Sequence, residues 1–227
     1  MRYSEFENII TPARLGRYRT ACGGNTRKAM TLYRKNLQLS QEMFTVLSCF
    51  EVALRNEIDK HYTAIHGNHW LRNAAAVGGF FDNYQNRNTR GIITSAVTSL
   101  NASYTHFKLV AELHFGFWRY MFVDRQYRAA GNTLLDVFPS RPASSIGFNY
   151  NHTYIFNQLA LINDLRNRIA HHEPICFIPG ASVKDTTYAR QHYNLILQLF
   201  QWMQIDEAAL LYGIDHINTI CNEIDAL

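Results

Sequence analysis

The segment Leu165-Arg166-Asn167-Arg168-Ile169-Ala170-His171-His172-Glu173-Pro174 brings an arginine, an amide and two histidines together just ahead of a proline. A guanidinium holds a phosphate through several donors, and an imidazole exchanges a proton near neutral pH. At an RNA phosphodiester the imidazole would withdraw the proton of the 2′-hydroxyl, which then attacks the adjacent phosphorus. The arginine would stabilise the charge that develops on the phosphoryl oxygens. The departing 5′-oxygen needs a second proton donor, and a dimer that juxtaposes two such helices would provide one. No metal or cofactor enters this chemistry, and DNA, lacking the 2′-hydroxyl, would resist it.

Such a site has to sit at the end of a helix. Asn167 and His171 are four apart and share a face, and Arg166 is displaced from Asn167 by about 100° around the axis. Pro174 disfavours helical geometry at Glu173, so the helix is expected over residues 151–172, with both histidines in its last turn. There the negative end of the helix dipole favours an imidazolium by about 0.3–1 kcal/mol. On this reading His172 orients the site or faces solvent, and Arg168 faces solvent or contacts RNA. The same spacing also fits an ordinary helix end whose terminal histidine caps the last carbonyls. It does not suit a metal: adjacent helical histidines point apart, and no third ligand is recognisable.

Two further blocks carry polar or aromatic groups. In Glu51-Val52-Ala53-Leu54-Arg55-Asn56, Glu51 and Arg55 have the spacing and order of a helical ion pair. Alternatively, Arg55 and Asn56 support the Arg166 helix or the phosphate. In Glu112-Leu113-His114-Phe115-Gly116-Phe117-Trp118-Arg119 the aromatics are expected to pack the core, with Gly116 admitting a neighbouring helix and base stacking by Trp118 the lesser reading.

The elements that position these residues read as helices nearly throughout. A short helix is expected over 27–35, then a second, capped by Ser40, with Met43, Phe44, Leu47, Phe50, Val52, Leu54 and Ile58 as its apolar stripe. Residues 73–83 read as a loop, 86–101 as a helix, and 108–127 as a central buried helix. The helix over 151–172 carries Ile155, Leu159, Ile162, Leu165 and Ile169 at steps of three or four. Another is expected from Thr187 to about Met203, and a short one from Asp215, with 175–178 as an extended piece. The expected fold is a single all-α domain over residues 1–227, a helical bundle with additional helices and loop insertions.

The 227-residue chain is 47% hydrophobic and 13% aromatic, which describes a packed protein and excludes a disordered one. Its formal net charge of +4 is unevenly spread: residues 1–36 hold eight basic side chains against Glu5 and Glu7. That excess suits either a polyanion partner or a plain solvated face. No apolar run is long enough for a bilayer, and no signal-peptide core follows Met1, so a cytoplasmic location is expected. The cysteines Cys22, Cys49, Cys176 and Cys221 have no zinc-site or disulfide spacing and read as reduced thiols, mostly buried.

Taken in order, several blocks resemble the Abi-like family of bacterial abortive-infection proteins, within the HEPN superfamily of helical nucleases. They are Thr11-Pro12-x-Arg14-Leu15, Ala29-Met30-x-Leu32-Tyr33-x-x-Asn36, Glu51-Val52-Ala53-Leu54-Arg55-Asn56, Glu112-Leu113-x-Phe115-Gly116-Phe117-Trp118 and Arg166-Asn167-x-x-Ala170-His171-His172. The resemblance implies a helical-bundle homodimer with a composite, metal-independent endoribonuclease site used in anti-phage defence or as a toxin. In it, Arg166 and His171 fill an Arg-x4-6-His motif, with Asn167 in its polar position. His172 also satisfies the permitted spacing; His171 is favoured because it shares a face with Asn167. Glu51, Arg55, Asn56 and Arg168 are the site-supporting or RNA-binding residues. RNA is the implied partner, and an antitoxin or a phage-derived trigger is compatible with such a role. The alternative is a non-catalytic HEPN module that binds RNA or protein.

Overall fold

Backbone constraints at the start of the chain set two helices that periodicity did not reveal. The computed structural model describes residues 1–227. Helix α1 (Tyr3–Ile10) begins where the Glu5 carboxylate accepts from the Arg2 amide at 2.9 Å, and it stops at Thr11, whose φ is +79°. Helix α2 (Pro12–Ala21) starts on Pro12, which needs no amide partner in a first turn, and ends before Gly23 and Gly24, both at positive φ.

Between Thr26 and His66 there is neither proline nor glycine, and the chain forms one 41-residue helix, α3 (Thr26–His66). The expected break at Ser40 does not occur, because nothing there removes an amide donor or admits a reversal. Leu32, Leu39, Met43, Val46, Leu47, Phe50, Leu54, Ile58 and Tyr62 make its buried stripe. Phe44 and Val52, expected in that stripe, are exposed instead: at about 100° per residue Phe44 falls on its flank and Val52 on the opposite side.

Helix α4 (Trp70–Ala75) occupies the start of the expected loop, and α5 (Arg87–Leu100) follows it. The expected central helix over 108–127 is three short ones: α6 (His106–Glu112), α7 (Phe115–Tyr120) and α8 (Asp124–Ala129). The breaks have a local cause. Leu113, His114 and Val123 are extended, and the Trp118 indole donates to the Leu113 carbonyl at 3.1 Å, a carbonyl that a continuous helix would have used. Trp118 is therefore a buried strut with no face for a base, and a Cβ at Gly116 would meet nothing within 4 Å, so no close helix approach depends on it.

Helix α9 (His152–Ala170) buries Ile155, Leu159, Ile162, Leu165 and Ile169, as their spacing required. Helices α10 (Thr187–Trp202), α11 (Glu207–Leu210) and α12 (Ile217–Asp225) complete an all-α chain without sheet; of the expected extended piece over 175–178, residues 175 and 176 are bends and Phe177 makes an isolated antiparallel bridge to Lys184. No helix is long and apolar enough to cross a membrane. All four cysteines are free; Cys176 and Cys221 are buried, and burial pushes the Cys176 thiol up to about 12, which keeps it protonated and unreactive.

The chain divides into two compact units. The first comprises Met1–Ser48, Asp164–Gln198 and Glu207–Leu227. Its core stacks Phe6, Tyr33, Tyr18 and Phe177 edge to face, with centroids 5.0–5.5 Å apart. On α12, Asp225 accepts from the Thr186 hydroxyl and pairs with Arg190 at 3.1 Å, which fastens α12 to the start of α10. The second unit comprises Cys49–Asn163 and Leu199–Asp206. There Phe50 meets Phe115 and Phe200 edge-on, and Tyr62 packs on Trp70.

One buried polar contact in the first unit has a clear energetic consequence. Asn36 is 3% exposed, and its side-chain oxygen accepts from the Ile175 amide at 2.9 Å. Asn36→Ala is expected to leave that amide buried and unpaired, lowering the unfolding free energy by about 1–3 kcal/mol. Denaturant unfolding reads this directly, and a midpoint equal to that of the wild type would show that water replaces the amide.

Candidate functional site

The histidines lie at the end of α9, but that end is built differently from the expected last turn. Regular helix stops at Ala170. His171 is the residue that leaves it, its amide still bonded to the Asn167 carbonyl at 2.9 Å, so the four-residue register with Asn167 persists. His172 lies outside the helix with φ of +55°. Its amide bonds Ile169 O at 2.9 Å, and the Glu173 amide bonds Arg168 O at 2.8 Å. These are the paired reversed bonds of a Schellman ending. The sequence offers no glycine at this point, so a histidine takes the left-handed position, and Pro174 forbids continuation.

This ending bears on what the imidazoles do. Backbone amides already take the carbonyls of Asn167, Arg168 and Ile169, so neither histidine side chain is needed as a cap. Both are exposed, and neither ring makes a hydrogen bond within the chain. Two imidazoles are thus presented beside the negative end of the α9 dipole. Asn167 is exposed and Arg166 is half-buried one turn before them. By contrast, His192 of the same unit is buried with its Nδ1 2.8 Å from the Tyr188 carbonyl; burial pushes its pKa down, and it is not available to bulk water as a proton carrier.

The stretch that follows the histidines is firmly held. The Asn36–Ile175 bond, the Asp185 amide on Cys176 O at 3.0 Å and Arg17, which donates to Ile178 O and Ala181 O at 2.9 Å, fix the backbone from 175 to 185. Arg168 belongs to this scaffold. Its guanidinium donates to Pro174 O at 2.7 Å, pairs with Glu173 at 3.3 Å and lies 4.5 Å above the Tyr188 ring. Its side chain is only 20% exposed. The expectation of a solvent-facing charge is corrected: Arg168 closes the turn that carries the histidines.

Glu51, Arg55 and Asn56 belong to the second unit. Glu51 is half-buried, and in place of the helical ion pair that its spacing suggested, the Arg55 Nε is buried without a hydrogen-bond partner. Arg55 and Asn56 line a cleft of that unit together with Asp59, Tyr104 and His106. No spacing rule joins those residues, because they come from α3 and from the start of α6, about 45 residues apart. The one local signal was Thr105, whose hydroxyl accepts from the Lys108 amide at 3.2 Å and so fixes the first turn bearing His106.

The left-handed backbone at His172 carries a steric cost. His172→Gly removes a Cβ from a conformation that costs an L-residue about 1–2 kcal/mol. The variant is expected to be at least as stable as the wild type in thermal unfolding; a clear fall in Tm would show that the His172 side chain itself supports the turn.

What the fold and the site define is an all-α protein with an arginine, an amide and two unengaged imidazoles at one helix end. A model of the Abi-like protein family matches residues 2–176, a span that contains every one of these groups, and the chain belongs to that family. No curated protein matches, and no solved structure does.

Proposed function

We propose that this protein is a metal-independent endoribonuclease of the abortive-infection type, with a HEPN-like site in which Arg166 and His171 are the arginine and histidine of an Arg-x4-His motif. The observation that carries the reading is the pair of exposed imidazoles with no hydrogen bond of their own, at a helix end whose carbonyls are already satisfied by backbone amides. An exposed imidazole not bonded to its own chain can exchange a proton with a bound substrate.

In this mechanism His171 takes the proton from the ribose 2′-hydroxyl. The 2′-oxygen forms a bond to phosphorus as the bond to the 5′-oxygen breaks. Arg166 stabilises the negative charge spread over the phosphoryl oxygens, and Asn167 orients the phosphate or the imidazole from the same face. The 5′-oxygen leaves with a proton from a second imidazole, contributed by a second copy of the chain in a homodimer. The products are a 2′,3′-cyclic phosphate and a free 5′-hydroxyl, and atoms and charge balance without any metal.

The test is incubation of the purified protein with total RNA in the presence of EDTA, with mapping of the new ends. Cleavage that survives chelation and leaves 2′,3′-cyclic phosphates is expected, alongside a dimer by light scattering. RNA that is bound, in a strongly salt-dependent way, yet left intact would instead establish the non-catalytic module. A 5′-phosphate at the new ends would exclude 2′-hydroxyl attack.

A further inference from the structure

The second unit contains a cleft of about 1260 Å³ along the C-terminal half of α3, closed on its other side by α4 and the start of α6. Its charged lining is predominantly cationic: Arg55, Lys60 and Arg72 against one acid, Asp59. That acid is already engaged. Asp59 accepts from the Trp70 indole at 2.7 Å and from His106 Nε2 at 2.6 Å, so its charge is committed to two fixed donors. Lys60 lies 3.6 Å from Glu57, so Arg55 and Arg72 are the cations of the lining left to meet an anion.

Three polar atoms of this cleft's lining residues are buried without any hydrogen-bond partner: Arg55 Nε, Tyr104 OH and His106 Nδ1. His106 as a whole is only 8% exposed. Buried polar atoms are nearly always paired, and these three orphans sit just behind the wall of one cleft, where a ligand that supplies both acceptors and donors meets them once the side chains turn toward it. With Nε2 donating to Asp59, His106 Nδ1 accepts from a ligand when the ring is neutral and donates to it when the ring is protonated. Arg55 can only donate, and the tyrosine hydroxyl does either.

The apolar part of the lining is equally specific. Phe107 is 79% exposed, a large ring displayed to solvent on the first turn of α6 while its neighbour His106 is buried. The Arg72 guanidinium lies 5.1 Å over the Tyr104 ring, which holds that cation in place. An exposed aromatic face beside ordered cations is the combination that binds a stacked base together with its phosphate.

The geometry points to a nucleotide-binding site in this cleft, with the phosphate held by Arg55 and Arg72, the base stacked on Phe107, and its polar edge meeting Tyr104 and His106. The ligand chemistry is a nucleoside phosphate, either free or as one residue of a single-stranded RNA. The proposal stands whether or not the α9 histidines cut RNA.

Calorimetric titration of the full-length His171→Ala protein tests it, because any RNA probe then survives the proposed cleavage reaction. The probes are adenosine 5′-monophosphate, the tetranucleotide rA4, adenosine and inorganic phosphate. AMP or rA4 is expected to bind, with adenosine and phosphate each at least about tenfold weaker, since each forfeits half of the contacts. The tighter of AMP and rA4 identifies the free nucleotide or the RNA strand as the source. Arg72→Ala and Phe107→Ala, both at exposed side chains, are expected to weaken binding by about tenfold or more, and Phe107→Trp to restore it. No binding by AMP or rA4 at about millimolar concentration, or binding unchanged in Arg72→Ala and Phe107→Ala, overturns the proposal. So does phosphate binding as tightly as AMP. None of these outcomes depends on RNA being cleaved by the wild type.

Discussion

His171→Ala is expected to lower RNA cleavage by about 10²–10⁴-fold, the usual contribution of a positioned proton-transfer group. Its folding stability should stay within about 0.5 kcal/mol of the wild type. The second expectation follows from the site: the imidazole is exposed, makes no hydrogen bond, and caps no carbonyl, since the α9 ending is satisfied by the amides of His171, His172 and Glu173. Loss of activity without loss of fold is therefore the diagnostic pairing. Arg166→Ala removes the cation proposed to face the developing charge, with an expected loss of about 10²–10³-fold. Arg166 is half-buried, so its variant must be read beside a thermal melt. A folded His171→Ala protein that cuts RNA at the wild-type rate would remove this histidine from the reaction.

The largest expected loss of stability is at Phe177. Its ring is fully buried, with its centroid 5.0 Å from that of Tyr18 and the Arg17 guanidinium 4.5 Å above it. Phe177→Ala empties a ring-sized space that Tyr18 and Arg17 cannot fill, and should cost about 3–5 kcal/mol. For a chain of this length that corresponds to a fall in Tm of roughly 6–20 °C. Phe177→Leu keeps most of the volume and should cost clearly less. The effect reaches beyond stability, because Phe177 is three residues past Pro174 and anchors the segment that leaves the α9 turn. Melting curves of the two variants measure it; equal and small shifts for both would mean that the core closes over the vacancy.

Local chemistry made much of this protein legible. The steps of three and four through Ile155, Leu159, Ile162, Leu165 and Ile169 specify a helix with one buried face, and that face is buried. Pro174 sets the end of α9 to within two residues, because a missing amide and a restricted preceding residue act without reference to the rest of the chain. The absence of proline and glycine from Thr26 to His66 held the signal for a single long helix, but a serine with capping chemistry obscured it. A hydroxyl can cap an end only where something else has already broken the helix.

Sequence alone thus settled the helical class, the buried stripe of α9 and the arginine–histidine segment on which the proposed chemistry rests, since each depends on neighbours within about four positions. Tertiary structure decided the rest. It broke the aromatic stretch after His106 into three helices, because the Trp118 indole takes the Leu113 carbonyl. It turned Arg168 into a strut between Pro174, Glu173 and Tyr188. It also gathered Arg55, Asp59, Tyr104 and His106 around one cleft. Contacts between residues tens of positions apart are set by how faces pack, and no local periodicity encodes which polar side chains meet when they do.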